Sequence, residues 1–225
     1  MTIKNERLII IGFVIFACLF MTLIDAVISP NYLIKSIIKF TLFLFLPLIY
    51  ALINKSISYR KLFFIKKQHL LLALILGISA YGLIVGGYYS LRNLFDFSNI
   101  TSNLQNNIGV NKNNFIYVSL YISFCNSFLE EFFFRGFAFI TMKKITSRKF
   151  AYIYSASVFA LYHVAIINTW FNFLLIVLII LGLFIVGMIF NYLCELSKSL
   201  YLSWLIHCFA NFAINTIGFI LFEII

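Results

Sequence analysis

The chain has 225 residues, of which 63% are hydrophobic and 11% charged, with a formal net charge of +10. Mean hydropathy is +1.03. Soluble domains average roughly 45–50% apolar and about 25% charged residues, so this composition excludes a soluble globular enzyme, a disordered chain and a nucleic-acid-binding module. It is the composition of a single all-α polytopic membrane domain, residues 1–225.

A bilayer core needs about 20 apolar residues per helix. Seven segments qualify: 8–29, 33–53, 69–90, 115–141, 150–168, 171–193 and 200–222. The first follows Lys4 and Arg7. Its run, Leu8 to Ile28, exceeds the ~7–15 residues of a signal-peptide core and no small-residue cleavage site follows, so it reads as a retained span. Asp25 lies near its outer end and reads as interfacial. The second carries Lys35 and Lys39 in its first turns, where both are expected to snorkel to the headgroups. His69 opens the third, beside Lys66 and Lys67, and also reads as interfacial. The polar stretch Leu91 to Asn114 reads as a surface loop. Only Asn168 to Trp170 separates the fifth segment from the sixth, so the two also read as one broken hairpin. No segment alternates as a membrane barrel requires. Cys18, Cys125, Cys194 and Cys208 lack metal-type spacing and read as small buried hydrophobes.

The basic residues set the orientation. With the N-terminus inside, Lys4, Arg7, Lys55, Arg60, Lys61, Lys66, Lys67, Lys143, Lys144, Arg148, Lys149 and Lys198 are cytoplasmic. Lys35, Lys39, Arg92 and Lys112 are outside, and Arg135 lies within a span. That bias obeys the positive-inside rule and accounts for the net charge without a nucleic acid.

Ionisable groups within spans cost at least ~2.5–3.5 kcal/mol each on insertion scales, so each is a functional hypothesis by default. The chain has seven acids and three histidines. Glu130 and Glu131 are adjacent in the fourth segment, and Arg135 stands four residues after Glu131, the spacing of a helical ion pair. His163 lies in the fifth segment. His207 and Asn211 share one face of the seventh. Asn126, one turn before Glu130, could line the same cavity. At 1.5 Å per residue, Glu130 and His163 lie about 20 Å from the cytoplasmic ends of their helices, and His207 and Asn211 about 10 and 16 Å. These groups are expected at one level, in a cavity open to the cytoplasm. Taken singly, each has a structural reading: an ion pair or a polar side chain gluing helices together. Buried Glu, His and Arg also build proton relays, although no inverted repeat is visible.

Three motifs run through these residues. Glu130 to Arg135 reads EExxxR, Phe159 to His163 reads FxxxH, and His207 to Asn211 reads HxxxN. In this order, on separate spans, they resemble the CPBP family, the CAAX proteases and bacteriocin-processing enzymes also called Abi. The resemblance covers about residues 115–215. It implies an intramembrane endopeptidase in which Glu130 and His163 activate water, His207 and Asn211 stabilise the oxyanion, and Glu131 with Arg135 supports the site. It implies no cofactor. The alternative is zinc held by Glu130, His163 and His207, a His₂Glu set drawn from three helices without an HExxH motif.

The chemistry also stands on its own terms. Peptide hydrolysis needs a base for water, and a positioned one contributes typically ~10²–10⁴-fold. Oxyanion donors in a low-dielectric cavity contribute ~10²–10³-fold each. Partial desolvation should make Glu130 a better base than a solvated carboxylate. The expected substrate is an extended peptide tail or membrane-protein segment near the inner leaflet. The alternative function is a non-catalytic bacteriocin-immunity or scaffold protein, with a membrane signalling or secretion partner. The Phe-, Ile-, Asn- and Lys-rich usage suggests a bacterial plasma membrane.

Overall fold

The computed structural model describes residues 3–54, 59–64, 66–95, 97–168 and 170–225. Lys55, counted above among the cytoplasmic cations, and Thr169, between the fifth and sixth segments, lie outside them. The helices are α1 (Lys4–Ile28), α2 (Tyr32–Ile53), α3 (Lys67–Leu91), α4 (Ser98–Ile108), α5 (residues 115–145), α6 (Arg148–Ile167), α7 (Phe173–Ser197) and α8 (Tyr201–Leu221). No strand occurs among the described residues. A bilayer offers the backbone no hydrogen-bond partner, so each apolar run pairs its own amides as a helix.

Among the described residues six helices, all but α4 and α5, are long and apolar enough to cross a membrane. The chain is therefore a multi-pass, all-α membrane protein. The remaining expected span is α5. It is helical throughout, but Glu130, Glu131 and Arg135 interrupt its apolar run.

Local chemistry marks the helix ends. Asn31, Ser147 and Asn172 cap α2, α6 and α7, each accepting from the backbone N–H three residues on, at 3.0, 3.2 and 2.9 Å. Pro47 lacks an amide and sits where α2 returns from a π-helical stretch, Thr41–Phe45, to α-helix. The stretch expected to be a plain surface loop instead contains α4. Gly109, at φ 69°, closes it: Gly109 N bonds Gln105 O and Val110 N bonds Leu104 O. This is the left-handed cap that glycine favours, and Val110 packs back onto Leu104 beside Phe115 and Phe222.

α5 is the central rod. Phe132, Phe133, Phe134, Phe137 and Phe139 are all essentially unexposed. Phe133 stacks on Phe43 of α2 with centroids 4.1 Å apart, Phe137 meets Phe13 of α1 edge-on at 5.2 Å, and Phe134 meets Phe159 of α6 at 5.3 Å. The outer helices instead turn Leu19, Leu52, Leu83 and Phe173 outward, each more than 60% exposed. In water such surfaces would aggregate; on a membrane protein they face lipid. The loop before α3 also docks: Leu62 O accepts from Leu200 N at 2.9 Å, at the start of α8. Tyr59 beside it contacts Thr141, and burial pushes its phenol up to about 12.

Four charged or polar residues expected at the membrane surface are buried or partly buried against the bundle. Asp25 and Lys35 pair with each other at 2.8 Å across the α1–α2 turn, their side chains largely buried. His69 is buried at the start of α3. Lys39 does not snorkel: it points inward and is 5% exposed. At the other end of the bundle, Lys143, Arg148 and Tyr152 all converge on Glu195, tying α5 and α6 to α7.

Small residues let helices approach closely, as membrane interfaces require. A Cβ on Gly187 of α7 would stand 3.0 Å from the Cα of Ala156 on α6, whereas one on Gly182 would meet nothing within 4 Å. Gly187→Val is therefore expected to destabilise the protein by about 1–3 kcal/mol through overpacking, and Gly182→Val to leave it unchanged. Thermal unfolding of the two purified variants in one detergent checks this.

Candidate active site

The site forms where α2, α5, α6 and α8 meet. α5 departs from regular α-helix on both sides of its acids, with π-helical turns at Tyr121–Asn126 and Phe132–Thr141. Such turns are rare and concentrate at functional sites. Polar side chains from neighbouring helices bond the carbonyls of these wider turns. Asn211 Nδ2 donates to Ile122 O at 3.0 Å, Trp204 Nε1 to Phe124 O at 3.1 Å, and Ser155 Oγ to Phe134 O at 2.8 Å.

Between the two π stretches, Glu130 and Glu131 are both buried. Their surroundings differ. Glu131 Oε1 lies 3.4 Å from Arg135 Nη1, the expected i, i+4 pair, and 3.0 Å from His207 Nδ1. The Arg135 guanidinium is wholly buried; Phe159 lies 4.1 Å and Phe190 5.1 Å from its carbon, so cation–π contact replaces part of its lost hydration.

Glu130 has one engaged oxygen and one open one. Oε1 accepts from Lys39 Nζ at 2.6 Å and from Asn126 Nδ2 at 3.0 Å. Oε2 faces His163 Nε2 and His207 Nε2, each 3.7 Å away. These gaps exceed a direct hydrogen bond.

The histidine tautomers follow from their partners. His163 Nδ1 lies 2.8 Å from Phe159 O. A carbonyl only accepts, so Nδ1 carries the proton. His207 Nδ1 likewise faces the Glu131 carboxylate, which accepts. In the neutral rings both Nε2 atoms are then left with lone pairs. Both open imidazole nitrogens thus lie 3.7 Å from the same oxygen, Glu130 Oε2. The arrangement suits a group that donates to all of them or shares protons among them.

Position explains why these residues meet. The regular helix of α6 ends at Tyr162, and His163 occupies the turn before the short helix Val164–Ile167. Its ring folds back on the preceding turn, with Nδ1 on Phe159 O and its centroid 4.8 Å from that of Phe159. His207 is in the interior of α8, between Phe159 and Phe190.

The sequence reading placed Glu130, Glu131, Arg135, His163 and His207 in one site, and the structure brings those five together. Asn211 stands one turn beyond His207 on α8, but its recorded bond is to the α5 backbone rather than to the cluster. Lys39 was missed as a member. Its signal was present: it lies seven residues into α2, about 10 Å from the helix start, too deep for a lysine side chain to reach the surface comfortably. Desolvation and the Lys39 ammonium act on Glu130 in opposite senses, so burial alone does not set that carboxylate's basicity. Among the described residues no three His, Cys, Asp or Glu side chains form a metal-holding group.

Residues 112–213 match the family model described as type II CAAX prenyl endopeptidase Rce1-like. No curated protein and no solved structure matches the chain. The matched stretch contains all seven fixed residues of the three motifs and excludes Lys39. The three motifs and the matched stretch fall on the same segment of this multi-pass membrane protein, and both are similar to the type II CAAX prenyl endopeptidases.

Proposed function

We propose that the chain is an intramembrane endopeptidase that hydrolyses a peptide bond with water held between Glu130, His163 and His207. The observation that carries this reading is that two imidazole nitrogens, each left open by the bond at its Nδ1, face one oxygen of Glu130 at 3.7 Å. Water has two protons to donate and a lone pair to attack with. In the reaction one water proton passes to Glu130 or an imidazole, and the water oxygen bonds the carbonyl carbon. The carbonyl π electrons move to oxygen. Collapse of that oxyanion breaks the C–N bond, and the leaving amine takes the proton. The products are one carboxylate terminus and one amine terminus.

The second acid has a separate task. A His207 that has accepted the proton presents an Nε2–H, and Glu131 at Nδ1 stabilises the resulting imidazolium. Such a ring donates to the oxyanion. Asn211 carries two amide protons, one of them on Ile122 O, and the other is free to serve as a second donor. Arg135 stands 3.4 Å from the same Glu131 oxygen and completes the pair. The substrate is an extended segment, because a helix hides its amides in its own hydrogen bonds. With the basic residues inside, as the lysine and arginine bias indicates, it enters from the cytoplasmic side.

Zinc is the less favoured occupant. Lys39 already places an ammonium on Glu130, which opposes a second cation on the same carboxylate. Cleavage is therefore expected to persist after exhaustive chelation, and its loss with recovery on added zinc would reverse the assignment.

Glu130→Gln is expected to lower cleavage by at least about 10²-fold; because it leaves buried Lys39 without its carboxylate, size-exclusion profile and thermal melting establish that the compared variant is folded. Membranes of cells carrying wild type or Glu130→Gln at matched expression are compared by mass spectrometry of peptide termini. Termini that vanish only in the variant identify the substrate. Identical termini would move the assignment to a non-catalytic immunity or scaffold protein.

A further inference from the structure

Lys39 lies on α2, outside the segment matched by the family model and 91 residues from Glu130 in sequence. Its side chain is only 7% exposed. A buried lysine is tolerated when its charge is met, and here every face of the ammonium is. It donates to Asn126 Oδ1 at 2.6 Å and to Glu130 Oε1 at 2.6 Å. The Phe43 and Tyr162 ring centroids lie 5.3 and 5.0 Å away, within cation–π range.

The contact is asymmetric. Lys39 touches one oxygen of Glu130, and Asn126 donates to that same oxygen at 3.0 Å while accepting from Lys39 through its own carbonyl. Lys39, Asn126 and Glu130 Oε1 thus close a three-membered ring of hydrogen bonds. The ring fixes the carboxylate's rotation and orients the Asn126 amide. The other oxygen, Oε2, is turned to the two imidazoles. An ion pair serving only to hold α2 on α5 has no need to leave one carboxylate oxygen aimed at two histidines.

We propose that Lys39 is a positioning residue of this site: with Asn126 it clamps Oε1 of Glu130 and so holds Oε2 toward His163 and His207. It touches neither water nor substrate and acts through Glu130. Its charge also lets Glu130 stay ionised beside Glu131, which has Arg135 as its own partner. The inference rests on the peptidase reading above.

The test uses the full-length protein in membranes and a synthetic peptide spanning the cleavage site that Glu130→Gln abolishes. Lys39→Met removes the clamp. Lys39→Gln removes the charge but keeps an amide that can donate to Oε1, and it covers the case in which Lys39→Met fails to fold, as judged by size-exclusion profile and thermal melting. A misplacement of about 1 Å can cost ~10²-fold in rate. Lys39→Met is therefore expected to lose about 10²-fold in kcat with KM within about twofold of wild type. Lys39→Gln is expected to recover about tenfold of that loss. Folded variants with wild-type kcat, or a loss confined to KM, would overturn the positioning role while Glu130→Gln still upholds the peptidase. A wild-type protein with no Glu130-dependent cleavage would overturn both.

Discussion

Two adjacent carboxylates sit in the middle of an apolar bundle, and each has its own cation. Glu130 is held by Lys39 of α2, and Glu131 by Arg135 one turn along α5. An unpaired buried charge costs several kcal/mol even after relaxation. Two neighbouring acids without separate partners would tend to share one proton. Separate pairing removes that competition and leaves the acids free to differ. Glu131 is occupied on one oxygen by Arg135 and His207, whereas Glu130 keeps Oε2 open toward two imidazoles. The packing of α2 on α5 and the chemistry of the site are thus the same contact seen from two sides.

α5 makes this arrangement rigid. Its phenylalanines pack against α1, α2 and α6, and its π-helical turns are bonded by Asn211, Trp204 and Ser155 from neighbouring helices. A wider helix repositions side chains relative to the ordinary 3.6-residue repeat, and it survives where surrounding helices satisfy its carbonyls. The supporting polar groups therefore bond backbone while the acids and histidines remain directed at one another. Sites hold their geometry best when their members stand on packed elements. Here only His163 lies at a helix interruption, and Phe159 O fixes its ring.

Much of this was legible in the residue pattern, because helical spacing is a local property. Glu131 and Arg135 pair as an i, i+4 repeat predicts, and Glu130, His163 and His207 meet inside the bundle, as ionisable groups placed within separate spans suggest. Lys39 escaped because a lysine near a helix end has two outcomes, snorkelling outward or pairing inward, and composition does not choose between them. Asp25 and Lys35 stand at the ends of their spans as the sequence indicates, and the structure adds that each is the other's partner. Asn211 was rightly put on the His207 face of α8, yet its bond goes to the Ile122 carbonyl of a π turn that no periodicity foretold.

By itself the sequence determined the class of molecule and the chemical inventory. Apolar run lengths impose membrane helices because the bilayer leaves the backbone no other partner. The three motifs name the groups available for chemistry. Only the tertiary structure decided which oxygen of Glu130 is engaged, which nitrogen of each histidine is left open, and that a lysine from α2 belongs to the site. Those choices depend on lateral contacts between helices up to 91 residues apart. Hydropathy, a sum over neighbours in sequence, carries no information about which face of one helix meets which face of another.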